Sequence, residues 1–149
     1  MYLVSACLAG INCRYNGKSS EQKEIIELVK EGKAVPVCPE LLAGLQTPRP
    51  CSEIINPFSE SRKKKVVSKA GQDLSSQFRS GAQKTLAIAK IIEVDQAILK
   101  SRSPSCGYNL IYDGTFSGNL VQANGITADL LEANGIKIYN EHNFSQSLA

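Results

Sequence analysis

Short apolar runs and polar segments follow one another along this chain in a way that predicts alternating strands and helices. Tyr2 to Ala6 reads as a strand, and Cys7 to Ser20 as the loop after it. Ser19-Ser20-Glu21-Gln22 offers a capping box ahead of Ile25, Ile26, Leu28 and Val29, the apolar face of a helix that stops near Gly32. Lys33 to Val37 is a second strand, moved toward an edge or a strand end by Pro36. Leu41 to Ser61 is rich in Pro and Gly, with Thr47-Pro48-Arg49-Pro50 its stiffest piece, and reads as a rigid loop. Lys64 to Ser68 could form a small extra strand. Asp73 is placed to cap a long helix to about Ile92, with Phe78, Ala82, Leu86 and Ala89 as its inner stripe.

Gln96 to Leu99 is the third strand, and it feeds directly into Lys100-Ser101-Arg102-Ser103-Pro104-Ser105-Cys106-Gly107. An apolar run ending in small polar residues, Pro and Gly reads as a strand that opens into a functional loop. Tyr108 to Gly125 is a long ordered loop with a hairpin across Leu110 to Phe116. Thr127 caps a helix, Ala128 to Ala133, which Asn134-Gly135 terminates; Ile136 to Tyr139 is the fourth strand and residues 143–149 a frayed tail.

The resulting order predicts an α/β fold: a single domain over 1–149, three layers deep, with a Rossmann-like parallel sheet and helices on both faces. In such sheets ligands sit beyond the carboxyl ends of the strands. Cys7, Cys38 and the loop carrying Cys106 are all expected at that edge.

Composition narrows the chemistry. With 149 residues, 42% hydrophobic and 21% charged, the chain is of globular type, and a net charge of +3 falls short of a dedicated nucleic-acid binder. Nucleic acid is therefore not expected as a partner, and Arg62-Lys63-Lys64-Lys65 reads as a solvated loop. No apolar run is long enough for a membrane span, and Met1 to Cys7 lacks the basic start of a signal peptide, so a cytoplasmic protein with no membrane partner is expected. The oligomeric state, monomer or homodimer, is left open. In that compartment five cysteines point to metal binding or catalysis before disulfides. His142 is the single histidine, so a metal site would lean on thiolates, which select zinc, copper(I) or iron–sulfur clusters.

Three thiolates are one short of a closed structural zinc site. They suit an open zinc site or an iron–sulfur cluster with one iron lacking a protein ligand, and the small residues beside Cys7 and Cys106 favour the bulkier cluster. Buried cysteines acting as small core hydrophobes are the alternative. Cys13 could be a fourth ligand or line the pocket, and Cys51 reads as packing. Glu40 is the carboxylate nearest the site; out of water beside a cluster it is expected to bind protons more readily, as a general base must, with a surface or helix-terminal carboxylate as the alternative. Ser101, Ser103 and Ser105 could orient a substrate or a water, or simply cap a tight turn. Arg14 and Arg49 could anchor a planar polar ligand or pair with Glu40 and Glu53.

Three stretches together resemble one bacterial family. They are Val4-Ser5-Ala6-Cys7-Leu8-Ala9-Gly10 with Cys13-Arg14-Tyr15-Asn16-Gly17; Cys38-Pro39-Glu40 through Thr47-Pro48-Arg49-Pro50; and Lys100 to Gly107 with Ile111-Tyr112-Asp113-Gly114-Thr115-Phe116. The family, long called a domain of unknown function, is that of the thiouracil desulfidases. The resemblance implies a 4Fe–4S cluster held by Cys7, Cys38 and Cys106, with the fourth iron open to substrate sulfur. It also implies catalytic roles for Glu40 and for Ser101 or Ser103, Ser101 being favoured, and non-redox conversion of 2- or 4-thiouracil to uracil and hydrosulfide. Asn16, Ala43 and Cys51 stand where aspartate, glycine and proline are usual in the family. Some relatives carry a further domain and act on tRNA; without it, a free thiolated pyrimidine is the expected substrate. A sulfide-donating cluster protein and a zinc-binding structural domain without catalysis are the alternatives.

Overall fold

The computed structural model describes residues 1–148, so the last residue of the expected tail lies outside the described residues. Four strands form its main sheet: β1 (Tyr2–Ser5), β2 (Ala34–Val37), β5 (Gln96–Leu99) and β8 (Lys137–Asn140). All pairings are parallel and the spatial order is β2-β1-β5-β8. The chain steps outward to β2 after β1, then returns past β1 to β5 and continues to β8. The direction of winding therefore reverses between β1 and β5, which is where open α/β sheets place their ligands.

Period-two alternation sends successive side chains to opposite faces. Leu3, Ala97, Leu99 and Ile138 join the core beneath α3 (Ser75–Ile91) and α4 (Ile126–Ala133), with Ala89, Ala128 and Leu131. Val4, Ile98 and Tyr139 join the other core, beneath α1 (Lys23–Lys30), with Ile25 and Leu28. The sheet is thus covered on both sides, as the strand–helix alternation predicts.

Several boundaries differ from the sequence reading for identifiable reasons. The capping box at Ser19 does not form: α1 starts after Gln22 with no side-chain cap. The backbone of that segment is instead tied to the first loop, Ser20 N–H to Cys7 O at 2.9 Å and Gln22 N–H to Leu8 O at 2.8 Å. The Pro-rich stretch opens on the end of a one-turn helix, α2 (Pro39–Leu42), with Pro39 at its first position, where the missing N–H costs nothing. It also contains β3 (Ser52–Ile54), antiparallel to β4 (Val66–Ser68), which is the extra strand expected near Lys64. The hairpin expected across Leu110 to Phe116 is wider, joining β6 (Ile111–Tyr112) to β7 (Leu120–Val121). At the α3 start, Asp73 accepts the Ser75 N–H at 2.9 Å although Leu74 is the boundary residue.

The expected frayed tail is a 3-10 turn, Phe144–Leu148. Phe144 is buried in the core on the α1 side, and the Tyr2 hydroxyl hydrogen-bonds Ser147 Oγ at 2.9 Å. The α1 crossover joins β1 to β2, and this turn adds an apolar side chain to the same core.

Candidate functional site

Each candidate ligand sits just beyond a main-sheet strand. Cys7 lies in a 3-10 turn, Ala6–Ala9, that follows β1 and is closed by Gly10 in the left-handed region at φ 93°. Cys38 follows β2 and heads α2. Gly81 of α3 packs so closely on the Pro39 carbonyl that no Cβ could be accommodated, which sets the distance of this turn from α3. Cys106 lies in the loop after β5. There Ser103 Oγ accepts the N–H groups of Ser105 and Cys106, both at 3.0 Å, and a Cβ on Gly107 would lie 2.5 Å from Ser103 O.

These turns enclose a cavity of about 760 Å³. Every candidate site residue of the sequence reading lines it, and so do all five cysteines. The Cys7, Cys13 and Cys38 thiols are close enough to shift one another's protonation. The Cys38 thiol favours the Cys13 thiolate, but the Cys7 thiol and burial outweigh it, and burial beside Cys7 pushes the Cys13 thiol up to about 11. The neighbouring Cys13 thiol, then burial, push the Cys38 thiol up as well. Burial pushes Cys106 up to about 12, opposed in part by the Ser5 and Ser105 hydroxyls. Cys13 therefore stands between Cys7 and Cys38, and Cys51, read as packing, is on the wall of the same cavity.

Glu40 does not stand alone against an apolar wall. Its carboxylate pairs with Arg49, both largely buried, and Arg49 also donates to Cys13 O at 2.9 Å, Gln46 O at 3.0 Å and Thr47 Oγ1 at 3.1 Å. Arg49 is thus anchored in the protein and fixes Glu40 in front of the thiols. Arg14 reaches the cavity wall with its guanidinium 5.9 Å from the Tyr15 ring centre. Glu53 takes neither arginine. It is 8% exposed and accepts the N–H groups of Gly114 at 2.9 Å and Phe116 at 3.2 Å, which presents Phe116 to the cavity. Tyr15, Tyr112 and Phe116 supply aromatic surface suited to a planar ring.

The serines separate by their bonds. Ser103 Oγ is committed to the turn, and Ser105, 1% exposed, bonds Thr127 Oγ1 at 2.8 Å behind Cys106. Ser101 Oγ instead donates to Glu141 Oε2 at 3.0 Å, while Lys100 Nζ lies 3.0 Å from the same oxygen. Lys100 and Glu141 both line the cavity, and neither is among the site residues expected from sequence. Glu141 immediately follows β8, so the signal that could have found it is its place at the same sheet edge as the cysteines. Its carboxyl is held below the usual range: burial resists ionisation, but the Ser101 N–H, its own backbone N–H and the Lys100 ammonium favour the charge. Among the described residues no group of His, Cys, Asp or Glu is arranged to hold a single metal ion, and no helix is long and apolar enough to cross a membrane.

Three comparisons with known proteins bear on this site. The 2-thiouracil desulfurase family matches residues 2–143. The chain is 46% identical, over 99% of its length and 100% of the relative's, to the uncharacterised protein YbbK of Bacillus subtilis (strain 168). It also resembles the solved structure of a 4Fe-4S-dependent thiouracil desulfidase, TudS (DUF523Vcz), with a TM-score of 0.86 and 35% identity, covering 99% of this chain and 98% of that one.

Proposed function

The chain belongs to the 2-thiouracil desulfurase family, and on that premise we propose that it removes sulfur as hydrosulfide from a thiolated pyrimidine. A 4Fe–4S cluster held by Cys7, Cys38 and Cys106 is the cofactor of this reading. The donor set fits such a group: thiols delivered by three separate strand ends border a cavity of about 760 Å³, wide enough for a cluster and a planar substrate. The Cys38 and Cys106 thiols, pushed up by burial and their neighbours, would release their protons on binding it, as thiolate ligation requires. Held by three thiolates, such a cluster supplies a Lewis acid for the thiocarbonyl sulfur.

The protein's own groups do the rest. Tyr15, Tyr112 and Phe116 hold the ring, and Arg49 keeps Glu40 at the thiol side of the cavity. Glu40 accepts a proton from the water that attacks the carbon bearing sulfur, then returns it as the C–S bond breaks. Water thereby replaces sulfur by oxygen with no change of oxidation state, and hydrosulfide and the oxopyrimidine leave. Ser101 orients the ring or the water. The enzyme acts as one domain, and five free cysteines support a reducing compartment such as the cytoplasm.

The observation that carries this reading is the convergence of Cys7, Cys38, Cys106 and Glu40 on one cavity. Anaerobic protein should contain iron and acid-labile sulfide and should release uracil and sulfide from 2- or 4-thiouracil; the corresponding thionucleosides and nucleotides extend the substrate series. Glu40→Ala should keep the iron and lose the turnover. A protein that binds no iron, or a Glu40→Ala variant of full activity, would overturn the corresponding assignment.

A further inference from the structure

Beyond β8, Glu141 is surrounded by donors. The Ser101 N–H reaches Oε1 at 2.8 Å, and the Ser101 hydroxyl and Lys100 Nζ each reach Oε2 at 3.0 Å. The Glu141 side chain is 6% exposed, so these bonds form largely out of water, where charge-assisted hydrogen bonds are strongest. Lys100 Nζ is 3.5 Å from Ser101 Oγ, too long to compete for the serine oxygen. His142, the next residue, also lines the cavity, but no bond from its side chain to Glu141 is present.

We propose that Glu141, paired with Lys100, is a positioning residue that turns the Ser101 hydroxyl hydrogen away from the cavity, so that Ser101 meets the substrate as a hydrogen-bond acceptor. A serine hydroxyl has one hydrogen and two lone pairs, and an acceptor carboxylate claims the hydrogen. What remains for the cavity is a lone pair, which matches a ring N–H of a thiolated pyrimidine. A carboxylate is required, because all three groups around Glu141 are donors. The amide of Glu141→Gln would set its NH₂ against one of them, and relieving that clash at Oε2 turns the serine hydrogen toward the substrate. The inference rests on the substrate class proposed above.

The kinetic test is a double-mutant cycle in the cluster-loaded enzyme with 4-thiouracil. Glu141→Gln and Ser101→Ala should each lower kcat/KM about 10- to 100-fold, the range for a bond to a charged group. The double variant should be no worse than Ser101→Ala within about two-fold, because Glu141 acts through Ser101. A merely structural Glu141 predicts multiplied losses, and that result, or an unimpaired Glu141→Gln, would overturn the inference.

The binding test needs no turnover. Calorimetry compares uracil with 1-methyluracil and 3-methyluracil on the wild-type protein, Glu141→Gln and Ser101→Ala. One methylated form should bind about ten-fold more weakly than uracil to the wild type, since a site built for an N–H rejects its absence. That preference should collapse in both variants, and a wild type indifferent to both methyl groups would overturn the inference. Should Glu141→Gln fail to fold, Lys100→Met provides the check: a ¹³C titration should find the Glu141 carboxyl moved up in pH, and an unmoved carboxyl would overturn the role of Lys100. A wild type that binds with this preference yet releases no sulfide would overturn the proposed function and leave the positioning role standing.

Discussion

Glu40 and Glu141 reach one cavity from the two outermost strands of the sheet, β2 and β8, and each is charge-paired there. Their construction differs. Glu40 sits on the one-turn helix headed by a candidate ligand, and its partner Arg49 is nine positions away in sequence. Glu141 finds Ser101 forty positions away, across the β5–β8 pairing. Arg49 Nη2 is shared between Glu40 Oε2 and the Cys13 carbonyl, and its Nη1 donates to Gln46 O and Thr47 Oγ1, so Glu40 Oε1 takes no bond from Arg49. Both oxygens of Glu141 are taken. On the proposed function, one carboxylate exchanges a proton while the other is used up in holding a neighbour.

The largest effect should come from removing a thiol that both sides depend on. Cys38→Ala, beside Glu40, and Cys106→Ala, beyond Ser101, should each abolish activity and lower iron content to a small fraction of wild type by elemental analysis. Full iron in either variant would remove that cysteine from the ligand set. Next, Glu40→Gln should lower kcat by about 10²- to 10⁴-fold, the usual range for a general acid–base, with iron unchanged. If the loss fell instead to the level expected for Glu141→Gln, the division of labour between the two carboxylates would be wrong.

A smaller effect separates the two sides by packing. Gly81→Ala gains about 1 kcal/mol of helix propensity, but the new Cβ meets the Pro39 carbonyl and lies 3.2 Å from the Ala43 Cβ. Overpacking of this kind costs about 1–3 kcal/mol, so a net loss of stability in denaturant unfolding is expected, with turnover impaired because the Glu40 turn moves. The methyl-group preference set at Ser101 should survive.

The mildest prediction concerns pH in the metal-free protein. The Cys106 thiol has an ordinary pKa of 9.0 and a folded value of about 12. Below 9.0 the folded and unfolded chains both keep the proton, and the stability associated with it is complete. As pH rises from 9.0 through about 12 the unfolded chain ionises first, so the melting temperature should fall. Cys13 and Cys38, also pushed up, add to that fall, so Cys106→Ala should make it shallower without removing it, and an equally steep fall would contradict the burial of this thiol.

The contrast between the carboxylates also explains what could be read from sequence. The main strands announce themselves as apolar runs, and Cys7, Cys38 and Cys106 are legible because each follows such a run in a stretch of small residues or proline. Glu40 is legible by adjacency to Cys38. Arg49 is open between two roles on sequence alone, since a rigid loop does not declare where a guanidinium points; its pairing with Glu40 decides between them. Lys100 and Glu141 carry no local signal: their meaning comes from β5 lying beside β8. Phe144 reads as tail because its partners are contributed by other strands, and β3 is masked by the prolines before it. Local chemistry was visible, whereas contacts made by topology were not.

The order β2-β1-β5-β8 bears on how such a protein is loaded. Its candidate ligands Cys7, Cys38 and Cys106 are held by three different strand ends, and no two are near enough in sequence for a short peptide to present them together. A site of that kind does not exist in the unfolded chain. On the proposed function, the cluster needs the long-range strand pairings, the slow part of folding for a parallel sheet, to be in place before all three thiols can hold it. A cofactor held in this way would be a late arrival, completing a vessel whose walls the strand pairings have already raised.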